Sequence, residues 1–358
     1  MCLYPRLIQN KKYITNKKNG GIIPAVSDKR VLAVPIGCGK CMECLKQKGR
    51  EWQVRLMEEI KSSKNGIFVT LTFSNESIQN LYRDMGKLEG YELDNEIAKK
   101  AVRRFLERWR KTNKKSVRHW LITELGHNGT ENIHLHGIIW TDKREEIEKH
   151  WKYGYIWLSD KKKGFVNEQT INYITKYVTK VDLDHKEYKP IILCSKGIGK
   201  RYITSTSSEN TKFNNDKTKD YYITRSGHKI ALPIYYRNNL YTEEEKEKLW
   251  LHKLDQETRY VGGEKIDVSK STQEYNKLLK WYQRKNKQLG YGDNRKNWDL
   301  IKYEKQRRIL NYRKRLNQET EEIDKIETEV LKPPKVMEWD KLEETMGVII
   351  QEDQDIFF

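Results

Sequence analysis

The chain has 358 residues, long enough for one sizeable core and a second, smaller unit. Apolar residues make up 36% and charged residues 34%, and 70 Lys and Arg against 51 Asp and Glu leave a formal net charge of +19. That excess attracts polyanions, and with 21 Tyr and 10 Trp as stacking surfaces for unpaired bases it points to nucleic acid. No run of about 18 apolar residues is present, so no membrane span is expected. The opening Met1-Cys2-Leu3-Tyr4-Pro5-Arg6 has no secretory apolar stretch, and five cysteines do not make a disulfide framework, so a reducing cytoplasm is expected.

Residues 1–50 read as a loop-rich, cysteine-rich segment with a short strand at Val31-Leu32-Ala33-Val34. Trp52, Leu56 and Ile60 recur at helical spacing. Ile67 to Phe73 is β-branched and aromatic and predicts a buried strand. Asp94 to Trp109 predicts a helix with Ile97, Val102, Phe105, Leu106 and Trp109 on or near one face. His119–Glu124 and Ile133–Trp140 read as strands joined by a hairpin through Gly126–Thr130. Tyr155–Leu158 is a further strand, and Thr170–Thr179 a helix that Val181-Asp182 extends. This order predicts an α+β domain over residues 51–240, an antiparallel sheet with helices packed on one face. Residues 241–358 read as a charged, helical C-terminal extension, basic over Lys302–Asn317, acidic over Glu319–Glu329, then Pro333-Pro334.

The sharpest local feature is His134-Leu135-His136-Gly137. On a strand, residues i and i+2 face the same side, so both imidazoles project together from an otherwise apolar run. Two buried imidazoles need partners, which a polar face or a divalent metal supplies equally for the isolated motif. Glu124 shifts the balance, because the hairpin brings it beside the histidines. Two imidazoles and a carboxylate make a three-ligand site with positions left open, as a catalytic metal requires. Gly137 is expected to leave room beside it.

Downstream, Tyr173-Ile174-Thr175-Lys176-Tyr177-Val178-Thr179-Lys180 doubles a Tyr-x-x-Lys pattern. On a helix Tyr173 and Tyr177 lie one turn apart on one face, with Lys176 and Lys180 as a second such pair. The spacing alone also suits amphipathic packing with a solvated lysine edge. Beside a metal it suits phosphoryl transfer, with lysines favouring phenolate or holding phosphate.

Cys38, Cys41 and Cys44 follow Cys-x-x-Cys-x-x-Cys, and Cys2 would supply a fourth thiolate to a closed structural Zn²⁺ site; unligated thiols are the alternative, and an iron–sulfur cluster has less support. Cys194 stands apart and reads as a small buried hydrophobe. Ser195 to Arg201 fails as a nucleotide-binding loop, since Cys194 stands at its first glycine position and Arg201 replaces the magnesium-binding hydroxyl. No ATP site is therefore expected, and unwinding would need a separate helicase. Backbone amides with Lys200 or Arg201 are instead expected to touch DNA phosphate.

Taken together, His134-Leu135-His136 and the paired tyrosines make the chain resemble the HUH endonucleases. The arrangement of Tyr173, Lys176 and Tyr177 is similar to that of the two-tyrosine replication initiators of the microviruses, small single-stranded DNA phages. Phe68 to Phe73 resembles the family's first motif, and Glu124-Leu125-Gly126 and Gly37–Cys44 also fit. The resemblance covers about residues 1–205, with a weaker echo at Leu232–Arg237. It implies an HUH, ferredoxin-like nuclease core and Mg²⁺ or Mn²⁺ on His134, His136 and Glu124. It further implies nicking of single-stranded origin DNA by Tyr173 or Tyr177, through a 5′-phosphotyrosine and a free 3′-hydroxyl, as in rolling-circle replication. The second tyrosine would rejoin strands, in the cytoplasm of a bacterial host, with a host helicase and DNA polymerase as partners. A metal-dependent nuclease using activated water and a non-catalytic single-strand binder are the competing readings.

Overall fold

The computed structural model describes residues 2–83, 85, 88–126, 131–159, 166–185, 188–225, 227–293 and 299–303. In chain order it contains β1 (Arg6–Gln9), β2 (Ala33–Ile36), α1 (Met42–Ser62), β3 (Gly66–Leu71), α2 (Asn75–Tyr82), α3 (Gly90–Asn113), β4 (Arg118–Leu125) and β5 (Ile133–Trp140). There follow α4 (Arg144–His150), β6 (Ile156–Leu158), α5 (Glu168–Thr179), β7 (Ile192–Cys194), α6 (Thr206–Glu209), β8 (Tyr221–Ile223) and β9 (Lys229–Ala231). The last elements are α7 (Ile234–Leu240), α8 (Glu243–Asp255), β10 (Thr258–Val261), β11 (Glu264–Asp267) and α9 (Gln273–Gln288). The described residues divide into a larger unit, from Met42–Lys248 and Arg284–Gly292, and a smaller one, from Met1–Cys41, Leu249–Gln283 and Asp293–Phe358.

The larger unit is built on a five-stranded sheet ordered β6-β3-β5-β4-β7, antiparallel throughout. The sequence predicts helices on one face; they cover both. β4 and β5 are apolar at odd and even positions alike, so each face carries its own core. Trp120, Ile122, Ile138 and Trp140 pack with Leu56 of α1 and Ile171, Ile174 and Val178 of α5. On the opposite face Leu121, Leu135 and Ile139 pack with Ile97, Ala101, Val102 and Phe105 of α3. Both layers exclude water from the middle of the sheet, which holds the central strands in one register.

Helix boundaries follow local chemistry. The Asn167 side chain accepts the Thr170 amide and Thr170 reciprocates, fixing the start of α5. Lys180 then turns to extended backbone (φ −61°, ψ 132°), so Val181-Asp182 do not prolong the helix as expected. α1 starts well before Trp52. Its buried Glu59 carboxylate is taken up by Arg118, Gly199 N–H and Ser63.

In the smaller unit β1 pairs with β2. The strand expected at 31–34 begins at Ala33, because Asp28 caps a turn of 3₁₀ helix over Lys29–Leu32. The C-terminal region is not wholly helical. β10 and β11 form a hairpin whose two-residue loop, Gly262-Gly263, has φ of 61° and 96°, a conformation glycine adopts without strain. Residues 127–130 of the hairpin turn between β4 and β5, and everything beyond Tyr303, including the basic, acidic and Pro-Pro stretches, lie outside the described residues.

Candidate active site

β5 carries both histidines on the face that meets α1 and α5. Register places Glu124 of β4 opposite His134, and Ile122 of β4 and Thr70 of β3 on either side of His136. Nε2 of His136 lies 2.9 Å from Oε2 of Glu124, yet it has no partner in hydrogen-bonding geometry. Its Nδ1 is 3.0 Å from Oγ1 of Thr70. The other carboxylate oxygen of Glu124 is bound by the Lys180 ammonium. Burial would raise the Glu124 carboxyl, but His136 and Lys180 together hold it below its ordinary value. Burial and the neighbouring His136 lower His134, with Glu124 opposing, which favours the neutral imidazole that a metal takes.

Gly137 does not open the site. It faces away from the histidines, and a Cβ there would fall 2.0 Å from the Trp120 carbonyl oxygen and 2.8 Å from Leu121 Cα. Glycine is required for the close approach of β4.

α5 lays both tyrosines against this group. The Tyr177 ring stacks on His136 with centroids 4.5 Å apart and planes 4° from parallel. Its hydroxyl is 2.9 Å from that of Tyr173. Tyr173 is 49% exposed and meets Phe68 edge-on. The lysines differ from expectation. Lys180 gives its ammonium to Glu124 and passes over the Tyr177 ring at 6.0 Å, while Lys176 lies exposed. The Tyr177 phenol is pushed up, first by burial and then by Tyr173 and Glu124, rather than towards phenolate. A recess lined by Thr123, Glu124, Tyr177, Lys180, Asp182 and Tyr188 adjoins the carboxylate.

Other sequence candidates lie elsewhere. Lys200 and Arg201 are exposed in a 3₁₀ turn. The amides expected to meet phosphate are engaged internally, Gly199 N–H with Glu59 and Lys200 N–H with the Gly197 carbonyl. In the Leu232–Arg237 segment Tyr236 is buried and donates to the Gly199 carbonyl, while Arg55 lies between Trp52 and Tyr235 at 4.2 and 4.1 Å. Those residues hold α7 against α1. Cys194 is half-buried on β7.

The Sγ atoms of Cys2, Cys38 and Cys41 lie within 4.8 Å of one another, and the same grouping takes in Cys44, three residues on in the first turn of α1. None forms a disulfide. Tyr4 and Cys38 amides point at the Cys2 sulfur (3.3 and 3.2 Å), and the Leu3 amide at that of Cys41 (3.4 Å). Amide donors turned on sulfur favour thiolate, the form a metal binds.

Sequence reasoning missed Thr70 and the aromatic pair Phe68 and Trp157. Thr70 was legible by parity, two residues from Phe68 on a strand already recognised.

An antiparallel sheet with paired histidines on a central strand and paired tyrosines on the helix that covers them defines a class of phage replication-associated protein. Residues 66–182 match the family model described as replication-associated protein ORF2, which places this segment in that family. The chain is similar to replication-associated protein VP4 of Bdellovibrio phage phiMH2K, 23% identical over 235 residues that span 59% of this chain and 69% of that protein. It is similar as well to replication-associated protein ORF2 of Spiroplasma virus 4, 28% identical over 240 residues, 56% of this chain and 69% of that one. Replication-associated protein ORF4 of Chlamydia phage 1 is 25% identical over 159 residues, 41% and 38% of the two chains. No solved structure matches.

Proposed function

We propose that this protein initiates phage DNA replication by nicking single-stranded origin DNA with a tyrosine, as an HUH endonuclease. The observation that carries the reading is the Tyr177 ring stacked on His136 with its hydroxyl bonded to Tyr173. It puts two nucleophiles of one kind against a His–Glu group. The relatives' names and the charge of +19 support a DNA substrate in an infected bacterial cell. Among the described residues no helix is long and apolar enough to cross a membrane.

The donor set fits a hard divalent cation. His136 offers a buried nitrogen that lacks a hydrogen bond, Glu124 a carboxylate held ionised, and His134 a neutral imidazole. His134, His136 and Glu124 would hold Mg²⁺ or Mn²⁺, which supplies Lewis-acid polarisation of the scissile phosphate. One tyrosine hydroxyl attacks phosphorus, forming the tyrosyl O–P bond as the P–O3′ bond breaks. Its proton leaves through the hydrogen bond to the second hydroxyl or to water, and the departing 3′ oxygen takes up a proton. A 5′-phosphotyrosine and a 3′-hydroxyl primer result. In strand rejoining the other tyrosine makes the next cut, and the released 3′-hydroxyl attacks the first phosphotyrosine. Lys180 is placed to neutralise charge at Glu124. The cysteine group would hold a structural Zn²⁺. A host helicase and polymerase complete the scheme, since the chain's own loop at 195–201 has no nucleotide-binding pattern.

Incubation of the protein with origin-type single-stranded DNA and Mn²⁺, followed by a denaturing gel, tests this. A covalent protein–DNA band is expected that persists in Tyr173→Phe or Tyr177→Phe singly and disappears in the double variant. Cleavage without an adduct would instead establish hydrolysis by activated water, and retention without cleavage a non-catalytic binder.

A further inference from the structure

The chain of touching rings does not stop at the tyrosines. Tyr177 meets Tyr173 edge-on, Tyr173 meets Phe68, and Phe68 meets Trp157 with centroids 5.6 Å apart. Trp157 belongs to the edge strand β6, opposite Thr70, which is itself opposite His136. It therefore lies in the same cross-strand row as His136 and on the same face, about 10 Å away at two strand spacings. Two residues earlier Tyr155 shares that parity, and its carbonyl accepts from Thr72 N–H. Trp157 is 45% exposed and Tyr155 71%. Two large rings are thus presented to solvent at the rim of the candidate site, held by backbone pairing to β3.

We propose that Tyr155 and Trp157 form a base-stacking subsite for unpaired nucleotides flanking the attacked phosphate. The two residues are about 6.6 Å apart along the strand, roughly twice the separation of stacked bases, so each ring takes its own base. Stacking of this kind is tolerant of sequence and holds a strand in extended form, which leaves the phosphate exposed to the neighbouring hydroxyls. Lys152 and Lys176, both exposed, add cations on either side of the ledge in sequence. A second copy of this chain is a poorer occupant, because β6 is only three residues long and offers few backbone groups for strand pairing. The proposal rests on the nicking reading for the identity of the phosphate but not for the ligand, which is the nucleobase.

The test is fluorescence anisotropy with a labelled oligothymidylate of about 12 nucleotides and a backbone of equal length carrying abasic sites, without added divalent cation. The unaltered protein is expected to bind the intact oligonucleotide more tightly than the abasic one. Trp157→Ala should weaken binding to the intact strand by about 5- to 100-fold and leave the abasic strand unchanged, with Tyr155→Ala smaller in the same direction and Trp157→Phe largely restoring affinity. Equal losses on both strands, or no loss on either, would overturn the subsite. So would a fall in self-association on sedimentation with DNA affinity intact, which would give the ledge to a second copy. Because nothing is cleaved in this assay, a missing covalent adduct sinks the nicking reading alone.

Discussion

Thr70→Val removes one hydrogen bond and little else, and so isolates how His136 is aimed. For Nε2 of His136 to present a lone pair towards Glu124, 2.9 Å away, Nδ1 must carry the proton and donate to Oγ1 of Thr70 at 3.0 Å. Valine keeps the branched shape and deletes the acceptor. A hydrogen bond of this kind is worth about 1 kcal/mol of stability, so the melting temperature should fall by only about 2–4 °C. The effect on the ligand is larger, because loss of the group that orients a metal-binding histidine lowers metal affinity or activity by about 10- to 100-fold, or about 1.4–2.7 kcal/mol. Isothermal titration with Mn²⁺ and initial nicking rates measure this, with Thr70→Ser expected to recover most of both. If Thr70→Val binds Mn²⁺ and nicks DNA as the unaltered protein does, Thr70 plays no part in positioning His136.

Gly137→Ala should destabilise the sheet by at least about 2–3 kcal/mol, since its Cβ meets backbone rather than a flexible side chain; an unchanged thermal transition would contradict the close approach of β4. Glu59 titrates below its ordinary value of 4.5, because Arg118 and Gly199 outweigh the burial that would raise it. A depressed carboxyl stabilises the fold above its unfolded value and loses that contribution as pH falls through the folded one. Chemical denaturation from pH 7 down to about pH 3 should therefore show a fall below about 4.5 that Glu59→Gln reduces, alongside a general loss of about 2 kcal/mol at neutral pH; identical profiles would refute the assignment. Metal analysis should find about one zinc per chain, reduced by Cys38→Ser with Cys41→Ser. Protein purified without zinc and unaffected by those changes would remove the cysteine site.

The parts of the fold legible in the sequence are those written by periodicity. β3, β4, β5 and α5 follow from alternating or unbroken apolar runs and from helical spacing, and their pairing puts Glu124 opposite His134. The second helical layer was implicit in Ile133–Trp140, whose odd and even positions are both apolar, although order alone suggested one. Side-chain partnerships were not legible. Lys180 stands at a spacing that suits a phenol, yet a buried carboxylate is the stronger attractor and takes its ammonium. The loop at 195–201 suggested amides open to phosphate, but Glu59, 140 residues from Gly199, has claimed one of them. The β10–β11 hairpin was signalled by Gly262-Gly263 and obscured by the charge of its surroundings.

Both phenols hang from successive turns of one helix, capped at Asn167 and wedged where Gly49 of α1 leaves room for Thr179, whose Cγ2 would lie 2.7 Å from any added Cβ. Their spacing is accordingly fixed by helix pitch, about 5.4 Å, and neither can be advanced without the other. In the strand exchange proposed, the protein is a rigid jig and the DNA is the moving part. A phosphate changes nucleophile by travelling about one pitch along α5, so the slack for each successive round has to come from the single strand.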